Sequence, residues 1–212
     1  MNGATTNRAF VVLREHVYQY RKLTPEQKAE VLRQRQLNGY PLHSPPHLHA
    51  AEGWFLITAA TYEHKHYFTA EEDRAWLLEE LFKELGAVNI VFVGWVVLPN
   101  HYHLLVQCNP LATISEPLRR VHARTARELN RREKIEGRQV WYRFSDRLIR
   151  DERHYYTTLN YIHYNPVKHG YVKKALDWNC SSVHWYVEHF GIEWLRDAWQ
   201  KYPVRDYGKG WD

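Results

Sequence analysis

Two histidines separated by one residue can place both imidazole rings on the same side of a β-strand. Residues i and i+2 of a strand lie about 6.6 Å apart at a rise of roughly 3.3 Å per residue, and two such rings can close on one cation. The His-x-His pattern occurs at 47/49, 64/66 and 101/103 of the 212-residue chain. Because it recurs, the pattern predicts a metal site only where the flanking sequence fixes its geometry.

The sequence around the three pairs separates them. His47 and His49 lie in a proline-rich segment, and His64 and His66 stand among charged residues, which favours a solvated edge. The pair at 101/103 precedes Leu104-Leu105-Val106 and follows a nearly continuous apolar run, which is typical of a buried strand. His101 and His103 are therefore the candidate cation ligands. Two half-buried histidines satisfied by hydrogen bonds remain the alternative.

A second set of reactive side chains occurs in residues 151–165, DERHYYTTLNYIHYN. Asp151 predicts the N-cap of a helix, and Pro166 predicts that the helix ends near Asn165. At helical spacing, Tyr155, Leu159 and Ile162 form an apolar stripe. One edge of the stripe should face the sheet without being fully buried against it. That edge carries His154, Thr158, Tyr161 and Asn165.

Tyr161 and Asn165 are four residues apart, so their side chains are neighbours on a helix. A phenol in this position can act as a nucleophile while the neighbouring amide oxygen binds a cation. The alternative is that Tyr161 is a packing residue. Tyr164 is its main competitor, whereas Tyr155 should be core and Tyr156 should point to the opposite side.

The elements that must position these residues follow from hydrophobic periodicity. A strand is predicted over 54–58, and a helix from Thr69, as its cap, to about 85, where Gly86 stops it. The next strands, 88–98 and 101–107, flank a tight turn at Pro99-Asn100. A long helix over 115–134, a strand over 141–150 and the tyrosine helix complete the order β-α-β-β-α-β-α. We therefore expect an α+β, ferredoxin-like antiparallel sheet with helices packed on one face.

Three regions are predicted along the chain. Residues 1–50 should form a helical appendage with a proline-rich linker, because Thr24 and Gln27 make a capping box around Pro25 and a charged helix follows to about Gln36. Residues 51–190 should form the main domain, with a short helix near 181–190. Residues 191–212 read as a basic and aromatic tail.

The composition favours a polyanionic partner. The formal charge is +5, and 9 Trp and 15 Tyr supply flat side chains that can stack on bases. The helix over 115–134 carries an arginine-rich face opposite its apolar line of Leu118, Val121, Thr125 and Leu129. A solvated face and core packing are the alternatives for these arginines and tryptophans. The predicted DNA contacts are Arg119, Arg120, Arg124, Arg127, Arg131 and Arg132, with Trp141, Tyr142, Trp178 and Trp185 as candidate stacking residues.

Two cysteines, Cys108 and Cys180, form no zinc-like spacing, so free thiols in a reducing cytoplasm are expected. The N-terminus lacks the apolar core of a signal peptide, and no run is long enough to span a membrane. These features predict a cytoplasmic protein.

Two segments are similar to a known family. Residues 95–106, WVVLPNHYHLLV, resemble the HUH segment of REP-associated tyrosine transposases, and residues 161–170, YIHYNPVKHG, resemble their tyrosine helix. The segments occur in the family's order, within a similarity spanning roughly 53–190.

The resemblance implies a ferredoxin-like fold, in which His101 and His103 ligate Mg²⁺ or Mn²⁺ and Asn165 supplies the third ligand. In related single-strand transposases that ligand is commonly Gln, and Asn165 is shorter. The resemblance also implies that Tyr161 is the nucleophile, forming a 5′-phosphotyrosine with single-stranded or hairpin DNA. Two other classes stay open at this point: a non-catalytic nucleic-acid-binding domain, and a metal hydrolase of small phosphoesters. The sequence leaves both a monomer and a homodimer open.

Overall fold

The computed structural model describes residues 24–27, 29, 30, 33 and 52–209. Between 52 and 209, four strands and five α-helices alternate with short 3₁₀ turns. The elements are β1 (Gly53–Ala60), α1 (Glu71–Gly86), β2 (Val91–Val97), β3 (His101–Cys108), α2 (Ser115–Glu133), β4 (Ser145–Leu148), α3 (Glu152–Lys168), α4 (Val183–Phe190) and α5 (Ile192–Lys201).

The four strands form one antiparallel sheet in the order β2-β3-β1-β4. This order places β3 between β1 and β2, which is the split β-α-β arrangement of a ferredoxin-like fold. The apolar run becomes β2, with an irregular register between Phe92 and Gly94, and it joins β3 through a tight hairpin. The predicted α+β fold class and element order are confirmed.

Helices cover both faces of the sheet. Alternation along β3 sends Tyr102 toward α2, where its hydroxyl lies 2.8 Å from His122 Nε2. Leu105 points the other way, and a Cβ on Gly94 would lie 3.6 Å from Leu105 Cβ and 2.8 Å from Leu159 Cδ1 of α3. The prediction that the helices pack on one face is therefore correct for α1 and α2 and wrong for α3, which covers the other face.

The close approach of α3 depends on a glycine. Because a Cβ at position 94 would come within 2.8 Å of Leu159 Cδ1, the side chain of any other residue would force the Leu159 side chain to shift. Leu159 and Ile162, two members of the predicted apolar stripe, are fully buried at this contact, so little space is open to them. The glycine thus lets α3 pack closely on β2.

Two predicted helix boundaries are wrong. The tyrosine helix continues through Pro166 to Lys168, and the His169 amide donates to the Asn165 carbonyl at 3.1 Å. A proline in the final turn removes a single N–H, which ordinary packing can offset more easily than in mid-helix. Helix α1 begins at Glu71, two residues after Thr69, and no side chain caps it. The Asp151 cap is confirmed, since its side chain accepts from the His154 amide at 2.8 Å.

The predicted strand over 141–150 is shorter than expected. Only Ser145–Leu148 pairs with β1, and Trp141 contributes an isolated bridge to Thr61. The sequence around this strand carries few of the β-branched residues that hold a longer ladder, which accounts for its length.

Beyond residue 190 the chain continues as an ordered helix. Helix α5 packs on α3, and Asn160 Nδ2 donates to the Ala198 and Tyr202 carbonyls at 2.8 Å each. The boundaries of the three predicted regions stay a prediction.

At the N-terminal end, the capping box of Thr24 and Gln27 is confirmed by its two reciprocal hydrogen bonds. The predicted end of that helix and the linker with His47 and His49 lie outside the described residues. In the part of the chain that the structure describes, none of the helices combines the length and the apolar character needed to cross a membrane. Cys108 and Cys180 are both buried free thiols.

Candidate metal and tyrosine site

Four predicted residues meet between β3 and α3. The Tyr161 hydroxyl lies 3.2 Å from His103 Nε2, and Asn165 Oδ1 lies 3.0 Å from His101 Nε2. The two imidazole centroids are 5.0 Å apart. Alternation along β3 and the four-residue spacing on α3 thus bring two imidazoles, an amide and a phenol to one place.

A neighbouring amide fixes the tautomer of His101. Asn100 Nδ2 donates to the His64 carbonyl at 3.2 Å, so its Oδ1 is the end that faces His101 Nδ1, at 2.8 Å. Because Asn100 Oδ1 can only accept, His101 Nδ1 carries a proton. In a neutral ring, Nε2 then presents its lone pair toward Asn165 Oδ1.

His103 is held in a similar way. Thr58 lies opposite it on β1, and the Thr58 hydroxyl is 2.7 Å from His103 Nδ1. This contact orients the ring so that Nε2 faces α3 and Tyr161. Partners on the far nitrogen of each ring are typical of metal-ligating histidines, because they fix ring orientation.

The donor set fits a small divalent cation. Two ligands at right angles and about 2.1 Å from a cation are about 3.0 Å apart, which is the distance between His101 Nε2 and Asn165 Oδ1. An amide oxygen turned toward the His101 lone pair could share a cation with it, whereas an amide turned the other way would donate to that lone pair through Nδ2, which is buried without a partner in the described chain. In 52–209 and in the few described residues before it, no group of three His, Cys, Asp or Glu side chains could hold a metal, so a cation here would need the Asn165 amide beside the two imidazoles. The site would therefore be a neutral one.

Tyr161 is fully buried, which corrects the expectation that its helix edge would escape submersion. The ring is covered by the chain after α5: a Cβ on Gly208 would lie 2.2 Å from Tyr161 Cε2, and the Tyr207 ring packs at 5.5 Å. Gly208 adopts a φ of +80°, so glycine suits this position on two counts. A phosphate can reach the phenol only if this segment shifts.

One cation beside the tyrosine was missed from the sequence. Lys168 Nζ lies 5.2 Å from the centre of the Tyr161 ring and donates to the Gly208 carbonyl at 3.0 Å. Lys168 is seven residues after Tyr161, so a helix continuing past Pro166 would have revealed it. His169, whose ring centroid is 5.0 Å from that of His101, was missed for the same reason.

Tyr207 was missed as well, and no local pattern announces it. Its hydroxyl lies 3.0 Å from His154 Nε2 and 2.5 Å from Thr158 Oγ1, so it engages the same helix edge as Tyr161. Burial raises the pKa of Tyr207 to about 12. The residue is a neutral partner that fastens the last segment to α3.

The competing tyrosines lie elsewhere. Tyr164 is 48% exposed and points away from the histidines. Tyr155 packs edge-on against Trp54, and Tyr156 stacks on Tyr202 at 4.7 Å. Among these candidates Tyr161 is the one that contacts His103.

The predicted DNA-binding arginines lie on α2, across the sheet from Tyr161. Arg120 and Arg124 form ion pairs with Glu84 of α1, at 2.7 and 2.9 Å, and Arg124 also pairs with Glu80. Within α2, ion pairs join Arg119 to Glu116, and both Arg131 and Arg132 to Glu128; Arg132 also pairs with Asp73 of α1. Arg127 is exposed. Their role with DNA stays a prediction.

The geometry favours core packing for Trp141. The residue is buried, its Nε1 donates to Thr125 Oγ1 at 2.9 Å, and its ring stacks on His122. Trp178 is also buried and donates to the Val97 carbonyl. Tyr142 and Trp185 are 38% and 40% exposed, but the Trp185 ring already stacks on His189 at 4.2 Å and the Tyr142 ring packs against Tyr62 at 5.0 Å.

Comparisons with known proteins cover the same part of the chain. The profile of the family described as Transposase IS200 like matches residues 55–165, just over half of the chain. A Haemophilus influenzae protein provisionally named a REP-associated tyrosine transposase is 38% identical over 102 residues, covering 43% of this chain and 58% of the relative. The REP-associated tyrosine transposase of Escherichia coli K12 is 33% identical over 110 residues, covering 50% of this chain and 62% of that protein.

The matched part spans about three fifths of the length of each curated relative. A solved structure, described as a REP-associated tyrosine transposase bound to a REP hairpin, superposes with a TM-score of 0.55 at 24% identity. The superposition covers 69% of this chain and 86% of the solved chain. The predicted resemblance is confirmed, and the matched range includes His101, His103, Tyr161 and Asn165.

Proposed function

Because this chain belongs to the IS200-like transposase family, we propose that it is a metal-dependent single-strand DNA endonuclease and strand transferase with Tyr161 as its nucleophile. The observation that supports the proposal most directly is a pair of neighbouring contacts: the Tyr161 hydroxyl lies 3.2 Å from His103 Nε2, and the Asn165 amide oxygen lies 3.0 Å from His101 Nε2. The centroids of the two imidazoles are 5.0 Å apart. Such a constellation joins a nucleophile to a set of cation ligands in one site.

In the proposed reaction, the Tyr161 oxygen attacks the phosphorus of a phosphodiester. A bond forms between that oxygen and phosphorus while the bond to the 3′ oxygen breaks, leaving a 5′-phosphotyrosine and a 3′-hydroxyl. The phenol proton leaves to solvent and the departing oxygen gains one, so charge and protons balance. The reverse attack by a 3′-hydroxyl, of the same or another strand, rejoins DNA and releases the tyrosine.

His101, His103 and Asn165 would hold Mg²⁺ or Mn²⁺. A bound cation supplies Lewis-acid stabilisation of the charge that develops on the phosphate and helps to orient it. Imidazole ligands suit Mn²⁺ better than Mg²⁺, which prefers oxygen. We therefore expect activity with both ions and the higher activity with Mn²⁺.

Lys168 gives the site a fixed positive charge. Its Nζ lies beside the Tyr161 ring, where it would favour the phenolate form and attract the phosphate. The Nζ contact with the Gly208 carbonyl would be exchanged for a phosphate oxygen when the covering segment shifts.

The proposed substrate is single-stranded DNA that contains a hairpin. The relatives that are 33% and 38% identical are named REP-associated transposases, and a REP hairpin is bound in the solved structural neighbour. A REP-type hairpin with single-stranded flanks, taken from the surroundings of the coding region, is therefore the first DNA to test.

The test is a covalent-adduct gel with this labelled DNA and Mn²⁺. We expect the wild-type chain to form an adduct that survives denaturation, and Tyr161→Phe to form none. Tyr156→Phe is the matched control, because it removes a phenol hydroxyl of the same helix whose ring stacks on Tyr202, away from the histidines. An adduct formed by Tyr161→Phe, or one abolished by Tyr156→Phe, would contradict the assignment.

One observation favours a second candidate, a DNA-binding protein that does not cleave. Tyr161 is fully buried beneath Tyr207 and Gly208, so this arrangement blocks attack on a phosphate. This candidate predicts retention of hairpin DNA without any adduct, at every Mn²⁺ concentration. The third class considered above, a small-phosphoester hydrolase, predicts turnover of a simple phosphodiester that is unaffected by Tyr161→Phe.

A further inference from the structure

A large cavity lies on the side of α3 away from the two histidines. It occupies about 710 Å³ between α3, the chain around residue 175, α5 and residues 203–205. This volume falls in the range of sites that bind small molecules. Its walls are mostly apolar, with the rings of Tyr164 and Trp199 among them. The family profile ends at residue 165, so most of this wall lies outside the matched range.

The cavity wall holds two buried polar atoms with no partner in the described chain. Asn160 is 1% exposed, and its Nδ2 donates to the Ala198 and Tyr202 carbonyls. These bonds fix the orientation of the amide, and its Oδ1 is left as a buried acceptor without a donor. Trp199 Nε1 is a buried donor without an acceptor. Leaving both unsatisfied costs free energy, which a ligand with a donor and an acceptor would recover.

The rim of the cavity is positively charged. Lys173, Lys174 and Arg205 are exposed lining residues, and no Asp or Glu lines the cavity within the described ranges. Arg205 has a φ of +46°, a conformation that costs free energy for a residue with a side chain. The α2 arginines, by contrast, face carboxylates of α1 and α2. The charge at the rim is therefore available to an anion.

We propose that this cavity binds one unpaired nucleobase of single-stranded DNA, with the adjoining phosphate on Lys173, Lys174 and Arg205. A base has flat apolar faces for the aromatic wall, a donor and an acceptor on its edge for Trp199 and Asn160, and an attached anion for the rim. The proposal rests on the proposed DNA function and adds a specificity site to it.

The position of the cavity suits a strand that also passes Tyr161. Asn160 precedes Tyr161 on α3, and Arg205 lies three residues before Gly208, which covers the Tyr161 ring. A helix with its side chains is about 10 Å across, which roughly three nucleotides span at 3.4 Å each. The base bound in the cavity would therefore be close to the cleaved phosphodiester and would help to select it.

The first experiment uses a mononucleotide and needs no cleavage. 2-Aminopurine deoxyribonucleoside 5′-monophosphate is titrated with the full chain in EDTA, because its fluorescence falls when the base stacks on an aromatic ring. We expect quenching that dAMP reverses and that inorganic phosphate at the same concentration does not. The nucleoside without phosphate should bind about tenfold more weakly, as for loss of one charge-assisted contact.

Variants locate the bound nucleotide. Trp199→Phe keeps a ring and removes the Nε1 donor, and it should weaken binding of the 2-aminopurine nucleotide while the thermal unfolding midpoint stays close to that of the wild type. For a 20-residue single-stranded oligonucleotide, Lys173→Ala and Lys174→Ala should each lower the slope of log K against log salt by about 0.7. Lys83→Ala, an exposed lysine of α1, is the matched control and should leave the slope unchanged.

The two proposals fail in different ways. No quenching by the wild type, or quenching that Trp199→Phe and both lysine variants leave unchanged, would overturn the cavity proposal even if a Tyr161 adduct forms. Reversal by inorganic phosphate alone would overturn it too, since the rim would then be an anion site without base recognition. Normal nucleotide binding with no Tyr161 adduct would instead reject the proposed cleavage.

Discussion

The two faces of the sheet each hold a tyrosine in contact with a histidine. On the α2 face, the Tyr102 hydroxyl lies 2.8 Å from His122 Nε2. On the α3 face, the Tyr161 hydroxyl lies 3.2 Å from His103 Nε2. All four side chains are largely buried, so neither burial nor the pair itself distinguishes a reactive site.

The surroundings of the two pairs differ. The ring of Trp141 stacks on His122 at 4.5 Å, and burial raises the pKa of Tyr102 and lowers that of His122 to about 3. Both groups therefore stay neutral and serve packing. The second pair has a further imidazole, an amide oxygen and a lysine around it. If Tyr161 is the nucleophile as proposed, the comparison indicates that the surrounding imidazole, amide and lysine, rather than the tyrosine–histidine pair itself, make the difference.

The largest expected effect is on the rate of adduct formation. His101→Ala or His103→Ala should lower the initial rate with Mn²⁺ by at least about 100-fold, as for loss of a group that stabilises transition-state charge. His122→Ala, on the other face, should change the rate by less than about threefold once corrected for folded protein. Equal losses of the initial rate in all three variants would contradict the difference proposed between the two faces of the sheet.

Gly94→Ala should disturb the α3 face alone. The new methyl group would lie 2.8 Å from Leu159 Cδ1, and overpacking of this kind costs about 1–3 kcal/mol in free energy of unfolding. Urea denaturation measures this loss, and adduct formation should fall with it because α3 carries Tyr161. Gly86→Ala is the matched control, since nothing lies within 4 Å of its Cβ. A Gly94→Ala chain as stable and active as the wild type would refute the close-approach argument.

Asn165→Ala should weaken Mn²⁺ binding by at least about tenfold, the lower range for loss of a group that supports a metal. Electron paramagnetic resonance titration of Mn²⁺ measures the change directly. Asn130→Ala is a suitable control, because Asn130 is an amide of α2 that bonds to the Arg138 carbonyl. Unchanged Mn²⁺ affinity in Asn165→Ala would mean that the amide serves packing, as on the other face.

The smallest expected effect concerns acid stability and the α2 face. His122 has a pKa of about 3 in the folded chain, below its ordinary 6.5, because burial disfavours the charged ring. As the pH falls, His122 therefore takes up its proton in the unfolded chain before it does so in the folded chain. Its contribution to the free energy of unfolding is full above pH 6.5 and is lost progressively toward pH 3.

His122→Gln should reduce the loss of unfolding free energy between pH 6.5 and 5 by on the order of 1 kcal/mol. Urea midpoints at the two pH values measure it, with wild type beside the variant. The same dependence on pH in both chains would show that other groups control acid stability.

Much of the site could be predicted because it rests on local periodicity. Alternation placed His101 and His103 on one face and Tyr102 on the other, and helical spacing placed Tyr161 beside Asn165. The length of α3 could not be predicted, because a proline near a helix end is tolerated only where packing supports it. Lys168 was missed as a consequence.

Contacts between distant segments were beyond such patterns. Tyr207 and Gly208 cover Tyr161 from more than 40 residues away, and the ion pairs of Arg120 and Arg124 depend on how α1 lies beside α2. No periodicity encodes either arrangement. They follow from the way whole elements pack.

Asn100 connects the site to an exposed loop through the main chain. Its amide is held by the carbonyl of residue 64, and it holds His101 in turn. Every amino acid supplies such a carbonyl, so residue 64, whose φ is +52°, can be exchanged among residues that tolerate this backbone conformation as long as the loop keeps its path. Substitutions at this exposed position can thus change the surface beside the candidate metal ligands while Asn100 keeps the His101 imidazole in the same orientation.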